Sequence, residues 1–176
     1  MVGQDSTGFF YEFILQRLEN YLVKTLHYDV NCVRSVLANK PTEFNYLISL
    51  LDSLTTFANN PENKLILAAN KRIENILVKT KLNKLVTFDA IQGTNSEEIT
   101  LMKLYNESLP LLTKYNQDGN WGEYFNTLSK FNQPINCFFD KVMVMDEDID
   151  IRINRLNLLT YLHKLFNKTC KLSELA

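Results

Sequence analysis

The chain has 176 residues, 45% of them hydrophobic and 22% charged, with a formal net charge of −1. That length fits one domain with a core of its own, and the composition excludes a disordered chain. No apolar run approaches the ~20 residues of a membrane span, and the near-zero charge argues against broad, non-specific binding to DNA or any other nucleic acid.

Residues 1–8 (MVGQDSTG) read as a lead or linker, without the basic start and apolar run of a signal peptide. From residue 9 onward the pattern is helical. Phe10, Phe13, Ile14, Leu18, Tyr21 and Leu22 keep helical spacing and predict one apolar stripe for burial. Asp29 is placed to cap a short second helix bearing Val30, Val33, Val36 and Leu37, which stops before Pro41. Phe44, Leu47, Ile48, Leu51, Leu54 and Phe57 mark a third. Asn60 and Pro61 open a fourth, a capping side chain followed by a residue of fixed φ. Its buried face is expected to carry Leu65, Ala69, Ile73, Ile76 and Leu77, which turns Lys71, Arg72, Asn75 and Lys79 outward.

Thr, Asn and Gly93 break the pattern over 80–95, which predicts a loop. Thr94 with Glu97, or Asn95 with Glu98, offers a capping-box start for a fifth helix from Ser96 to about Tyr115. Pro110 inside it predicts a kink or an interruption. Gly119 and Gly122 flank Trp121 at the next turn, and a sixth helix runs to about Leu128. A seventh extends from near Pro134 to Met145, with Phe138, Val142 and Met145 in the core. Asp146, Glu147, Asp148 and Asp150 give an acidic first turn to a last helix ending near Phe166, with Leu156, Leu159, Leu162 and Phe166 inward. The pattern predicts an all-α single bundle of about eight helices.

Catalytic and metal patterns are absent from the sequence. His27 and His163 fall in no zinc-binding spacing. His163 and Cys170, seven apart, lack an orienting third group for a Cys–His dyad. Asp146, Asp148 and Asp150 mimic the opening of a calcium loop, but the required Gly falls on Ile151 and the closing Glu on Asn157. Five glycines leave little room for a phosphate-binding loop. Cys32, Cys137 and Cys170 form no close pair, which suits a reducing cytoplasm.

Charge is segregated instead. Residues 64–84 carry Lys64, Lys71, Arg72, Lys79, Lys81 and Lys84 against Glu74 alone. Residues 152–171 carry Arg152, Arg155, Lys164, Lys168 and Lys171 with no acid. Arg72, Lys71 and Asn75 supply a fork, a point charge and an amide within about one helical turn, groups suited to base edges and phosphates. Asn70 and Lys79 extend that face. Arg152 and Arg155 either clamp phosphates or pair with Asp148 and Asp150. The alternative for both stretches is a solvated helix face. Phe139 is a candidate exposed aromatic for stacking on a base.

Two blocks carry a family resemblance. FFDKVMVMDEDIDIRINRLNLL (Phe138 to Leu159) and, upstream, AANKRIENIL (Ala68 to Leu77) resemble the C-terminal anticodon-binding domain, named for its D-A-L-R motif, of the bacterial glycyl-tRNA synthetase beta subunit. FILQRLENYL and HYDVNCVRSVLA extend the likeness, so it covers essentially 9–176. The D-A-L-R motif stands here as Ile149-Asp150-Ile151-Arg152, keeping only the arginine, and Asn136 takes the place of an acidic residue. AANKRIENIL also resembles the corresponding helix of arginyl-tRNA synthetases, while VMVM favours the glycyl branch.

The resemblance implies an all-helical domain that recognises the anticodon stem-loop of tRNA-Gly, and it carries a tRNA-contact role onto Lys71, Arg72 and Asn75. Asn70, Lys79, Arg152 and Arg155 join them as candidates from the residue pattern alone. The resemblance also implies a non-catalytic C-terminal part of a much longer cytoplasmic beta subunit. The partners implied are tRNA-Gly, the remainder of that subunit and an alpha subunit that houses the ATP, magnesium and glycine chemistry. No cofactor is expected in this part, and neither membrane nor DNA among its partners. The rival readings are the same domain type in another synthetase, arginyl above all, and a helical scaffold whose basic faces meet an acidic protein.

Overall fold

The computed structural model describes residues 4–80 and 85–176. The α-helices are α1 (Gln4–Lys24), α2 (Val30–Leu37), α3 (Leu47–Asn59), α4 (Lys64–Lys79), α5 (Ser96–Asp118), α6 (Trp121–Ser129), α7 (Asn132–Lys141) and α8 (Ile149–Phe166). Short 3-10 turns lie at Pro61–Asn63, Phe88–Ala90 and Leu172–Glu174. No strand occurs among the described residues, and the architecture is the all-α bundle that the periodicity predicts.

Local chemistry sets most of the boundaries. The Asp29 carboxylate accepts the N–H groups of Asn31 (2.8 Å) and Cys32 (3.1 Å), capping α2. Asn95 and Glu98 form the expected box: Glu98 N–H donates to Asn95 Oδ1 at 2.9 Å, and the Glu98 carboxylate returns to Thr94 N–H at 2.7 Å. Asp148 caps α8 by accepting from Asp150 N–H and Ile151 N–H. α5 ends at Gly119, whose backbone is left-handed (φ 67°). A Cβ there would also meet the Tyr46 ring at 2.8 Å, so the position requires glycine twice over.

α4 lies centrally. It packs on α7, α8 and the C-terminal turn Leu172–Glu174, while α5 packs on α6, α7 and α8. Leu101, Leu112, Leu128, Phe131, Phe138 and Leu159 are fully buried between them. Amide pairs lock the layers. Asn132 Nδ2 donates to Asn63 Oδ1 at 2.7 Å, and Asn63 donates to the Phe57 carbonyl, joining α3, α4 and α7. Both backbone groups of Val86 are bound to α8, its N–H by Asn157 and its carbonyl by Tyr161. The 85–91 crossing is thereby held in place, with Phe88 stacked 4.1 Å from Tyr105.

Four expectations are corrected. α1 already includes residues 4–8, which the sequence reading assigned to a lead. Its stripe is not buried: Leu22 is, with Leu15, but Phe10, Phe13, Ile14 and Tyr21 are exposed. Of the two outcomes expected at Pro110, the interruption does not occur: α5 runs through it, past the expected end near Tyr115, to Asp118. α7 stops at Lys141, and 142–145 run on outside any helix, with Val142 and Val144 buried and Met143 and Met145 exposed. Met145 is therefore not a core residue.

Candidate nucleic-acid interface

α4 presents an outer face because its core side is fixed by Ile66, Leu67, Ala69 and Ile73, all buried. Leu65, Ile76 and Leu77, expected in the core, are only partly buried. Lys71, Arg72, Asn75 and Lys79 line one open groove of about 520 Å³, together with Ala68, Ile76 and Ala176. The sequence-predicted cations and amide of this helix therefore meet in one place. The groove has an apolar floor from Ala68 and Ile76, and polar walls.

The charges in it are not equivalent. Lys71 Nζ lies 3.0 Å from Glu74, a surface pair one turn along the helix. Burial works to raise the Glu74 pKa, but the bonds from Lys71 and Lys171 outweigh it and hold the carboxyl below its ordinary value. Arg72 instead places its guanidinium carbon 4.3 Å from the centroid of the Phe139 ring. Phe139, on α7, is half-buried and packs edge-on to buried Phe138. The exposed guanidinium is thus held against an aromatic face, leaving its other side open. Asn75 and Lys79 are exposed. Lys81 and Lys84, counted in the same basic stretch, lie outside the described residues.

Two predicted contacts are corrected. Asn70 is fully buried. Its amide exchanges two hydrogen bonds of 3.0 Å with Asn167, fastening α4 to the end of α8. A polar residue one position before Lys71 reads as surface from its type alone. At this position the 3.6-residue period points it inward, where another amide satisfies it.

Arg155 is also buried. Its Nε meets Glu98 at 2.6 Å, and its Nη1 meets Asp146 at 2.6 Å and the Met143 carbonyl at 2.8 Å. Neither Asp148 nor Asp150 is its partner; its Nε and Nη1 donors are taken up inside the fold, and Nη2 lies 3.5 Å from Thr94 Oγ1. Desolvation works to lower its pKa, and the two carboxylates outweigh that and raise it. The Asp146 carboxyl is held below its ordinary range, first by the Asp148 N–H and then by Arg155. Arg152 is half-buried and reaches the Asp146 carbonyl at 3.4 Å. Neither arginine lines the α4 groove.

Reactive chemistry is not assembled elsewhere in the described residues. No group of three or more His, Cys, Asp or Glu side chains gathers in metal-binding geometry among them. Burial pushes the Cys170 thiol up to about 12, leaving it protonated at neutral pH. No helix of the described residues is long and apolar enough to cross a membrane.

The described residues form an all-helical bundle with a cationic, apolar-floored groove on one helix. Residues 66–174, from α4 to the C-terminal turn, match the DALR anticodon binding domain, and the chain belongs to that family. It is also similar to curated proteins described as glycine–tRNA ligase beta subunits. It is 33% identical to that of Ralstonia nicotianae over 94% of this chain and 23% of the relative. For Polaromonas naphthalenivorans the figures are 33%, 97% and 24%, and for Thiobacillus denitrificans 31%, 100% and 25%. The chain thus spans about a quarter of the length of these relatives.

Proposed function

We propose that the chain recognises the anticodon stem-loop of tRNA-Gly as the anticodon-binding part of a cytoplasmic glycine–tRNA ligase beta subunit. The observation that carries the reading is the α4 groove, where Lys71, Arg72, Asn75 and Lys79 converge inside the segment that matches the anticodon-binding family. Anticodon bases are unpaired, so their faces are free to stack and their edges free to bond. The Arg72–Phe139 pair offers a flat cationic surface for a base, Asn75 an amide for its edge, and Lys71 and Lys79 charge for the adjoining phosphates. In this reading ATP, magnesium and glycine are handled by an alpha subunit, and the chain alone does not charge tRNA.

The test is binding of the purified chain to anticodon stem-loops of tRNA-Gly, tRNA-Arg and an unrelated tRNA, at two salt concentrations. The glycine loop should bind tightest, and Arg72→Ala should weaken it by about 1–3 kcal/mol, a magnitude taken from base readout. Equal binding to all three loops would refute the glycine assignment. Unchanged affinity in Arg72→Ala would remove α4 from the interface.

A further inference from the structure

α1 carries two apolar faces and uses only one of them. Leu15 and Leu22 are buried and Leu18 is partly buried, packed against the core mainly through α2. Tyr11 O–H donates to the Pro41 carbonyl and Glu19 pairs with Arg34 at 2.9 Å, fixing which side faces in. On the outer side Phe9, Phe10, Phe13, Ile14 and Tyr21 are 48 to 72% exposed. At 100° per residue these five fall within an arc of about 140°, along about 18 Å of helix. Arg17, in the middle of that arc, lies over the Phe13 ring at 5.2 Å, so even the charge there is fitted to an aromatic surface. Exposed Asn20 and Lys24 also fall within the arc, and Glu12, Gln16 and Glu19 lie outside it. The outer face is thus a cluster of five large apolar side chains among polar ones. An exposed apolar cluster rimmed by polar residues marks an interaction site.

The family boundary shows which kind of chain needs this helix. The anticodon-binding match begins at residue 66, so α1, α2 and α3 lie outside it. The similarity to beta subunits nevertheless spans 94 to 100% of the chain, and in one relative all 176 residues. The first three helices thus lie in the stretch similar to beta subunits and before the stretch that matches the anticodon-binding family. About three quarters of those relatives' length lies beyond the match.

The occupant is set by what the relatives carry, since most of their length lies beyond the match on the same polypeptide. At about 200 Å² per large side chain, the exposed apolar part amounts to roughly 500 Å², comparable to the apolar share of one side of a standard interface of about 800 Å² per partner. Interfaces within one chain are further held by millimolar effective concentration. We propose that the outer face of α1 docks on an apolar surface of the remaining part of the beta-type subunit, on the same polypeptide. This rests on the reading that the chain works within such a subunit, and not on how it binds RNA.

The test compares Phe10→Gln/Phe13→Gln/Ile14→Gln with the unaltered sequence, in the 176-residue chain and in the full-length subunit. Glutamine keeps helix propensity while removing the apolar surface. In the isolated chain the triple variant should keep its melting temperature and bind several-fold less of an apolar fluorescent dye. In the full-length subunit, amides of α1 should exchange at least about tenfold more slowly than in the isolated chain, and the variant should abolish that difference. Equal exchange of α1 in both contexts would overturn the proposal. A large fall in the isolated variant's melting temperature would overturn it too, by showing that the face is packed within the chain. A dimer of the isolated chain that the variant dissociates, with α1 unprotected at full length, would assign the face to a second copy instead. Stem-loop affinity of the isolated variant should equal that of the unaltered chain, which separates failure of docking from failure of anticodon recognition.

Discussion

Arg155 shows how one side chain can be read as a ligand-binding group and serve the fold instead. It joins the start of α5 through Glu98, the 143–146 segment through the Met143 carbonyl and Asp146, and α8 on which it sits. Arg155→Ala should cost about 3–5 kcal/mol in urea unfolding, because it leaves Glu98 charged, buried and unpaired. The folded fraction should bind the stem-loop unchanged. A loss below about 1 kcal/mol, or weakened RNA binding, would return Arg155 to the interface. His163 gives a second test at this scale. Burial lowers its pKa from the ordinary 6.5, with Glu74 opposing and Lys171 reinforcing. As pH falls through 6.5 the unfolded chain takes up the proton first, so stability should decline below about pH 7. His163→Gln should flatten that slope between pH 7.5 and 5.5. Carboxylates act lower. The Lys141 bond holds Glu97 at about 2 against an ordinary 4.5, so its contribution is complete above 4.5 and is lost as pH falls toward 2.

Helical elements were legible where two local signals agreed. α2 and α5 each have a capping side chain followed by apolar residues at helical spacing, and both start where expected. α8 instead starts at Ile149 because Asp148 caps it, so Asp146 and Glu147 precede the first turn they were expected to form. α7 and α1 were misread for physical reasons that no local pattern carries. Val142 to Met145 looked like the end of α7, but Arg155 binds the Met143 carbonyl from 12 residues away, and the backbone leaves the helix at Val142. Val142 takes an extended backbone and the chain bends at 144–145, with Val142 and Val144 buried and Met143 and Met145 exposed. Val144→Ala should therefore cost about 1.5–3 kcal/mol, and Met145→Ala under about 0.5. Leu156→Ala, in the interior stripe of α8, should cost about 2–5 kcal/mol. Equal costs at Val144 and Met145 would mean that the segment is still helical. For α1 the apolar spacing was real, but periodicity reports that a face is apolar and not which molecule covers it.

At the scale of the whole molecule, a net charge of −1 conceals a cationic groove built from a few side chains, the proposed binding face. The groove was legible because Lys71, Arg72, Asn75 and Lys79 share one helix face. Asn70 was not, because its amide reads as surface although the helical period turns it inward with Ile66 and Ile73. Arg155 was not, because only its long-range partner Glu98 reveals that it is buried. If the groove binds RNA as proposed, Glu74 acts as a brake on that binding. Glu74 is the one acid of the basic stretch, and it draws Lys71 to 3.0 Å and Lys171 to 3.5 Å beside the groove. An approaching phosphate must compete with that carboxylate for Lys71. The pair is only partly buried, so breaking it costs roughly 0.2–1 kcal/mol. Glu74→Gln should free Lys71 and tighten stem-loop binding by up to about fivefold, with a steeper dependence on salt because one more cation meets phosphate. Lys79→Gln should do the reverse, making the slope shallower by about 0.7 in log–log terms for a single strand. Combining Glu74→Gln with Lys71→Gln should cancel the gain. Tighter binding in the double variant would show that the carboxylate acts by repelling RNA directly, and not by holding Lys71.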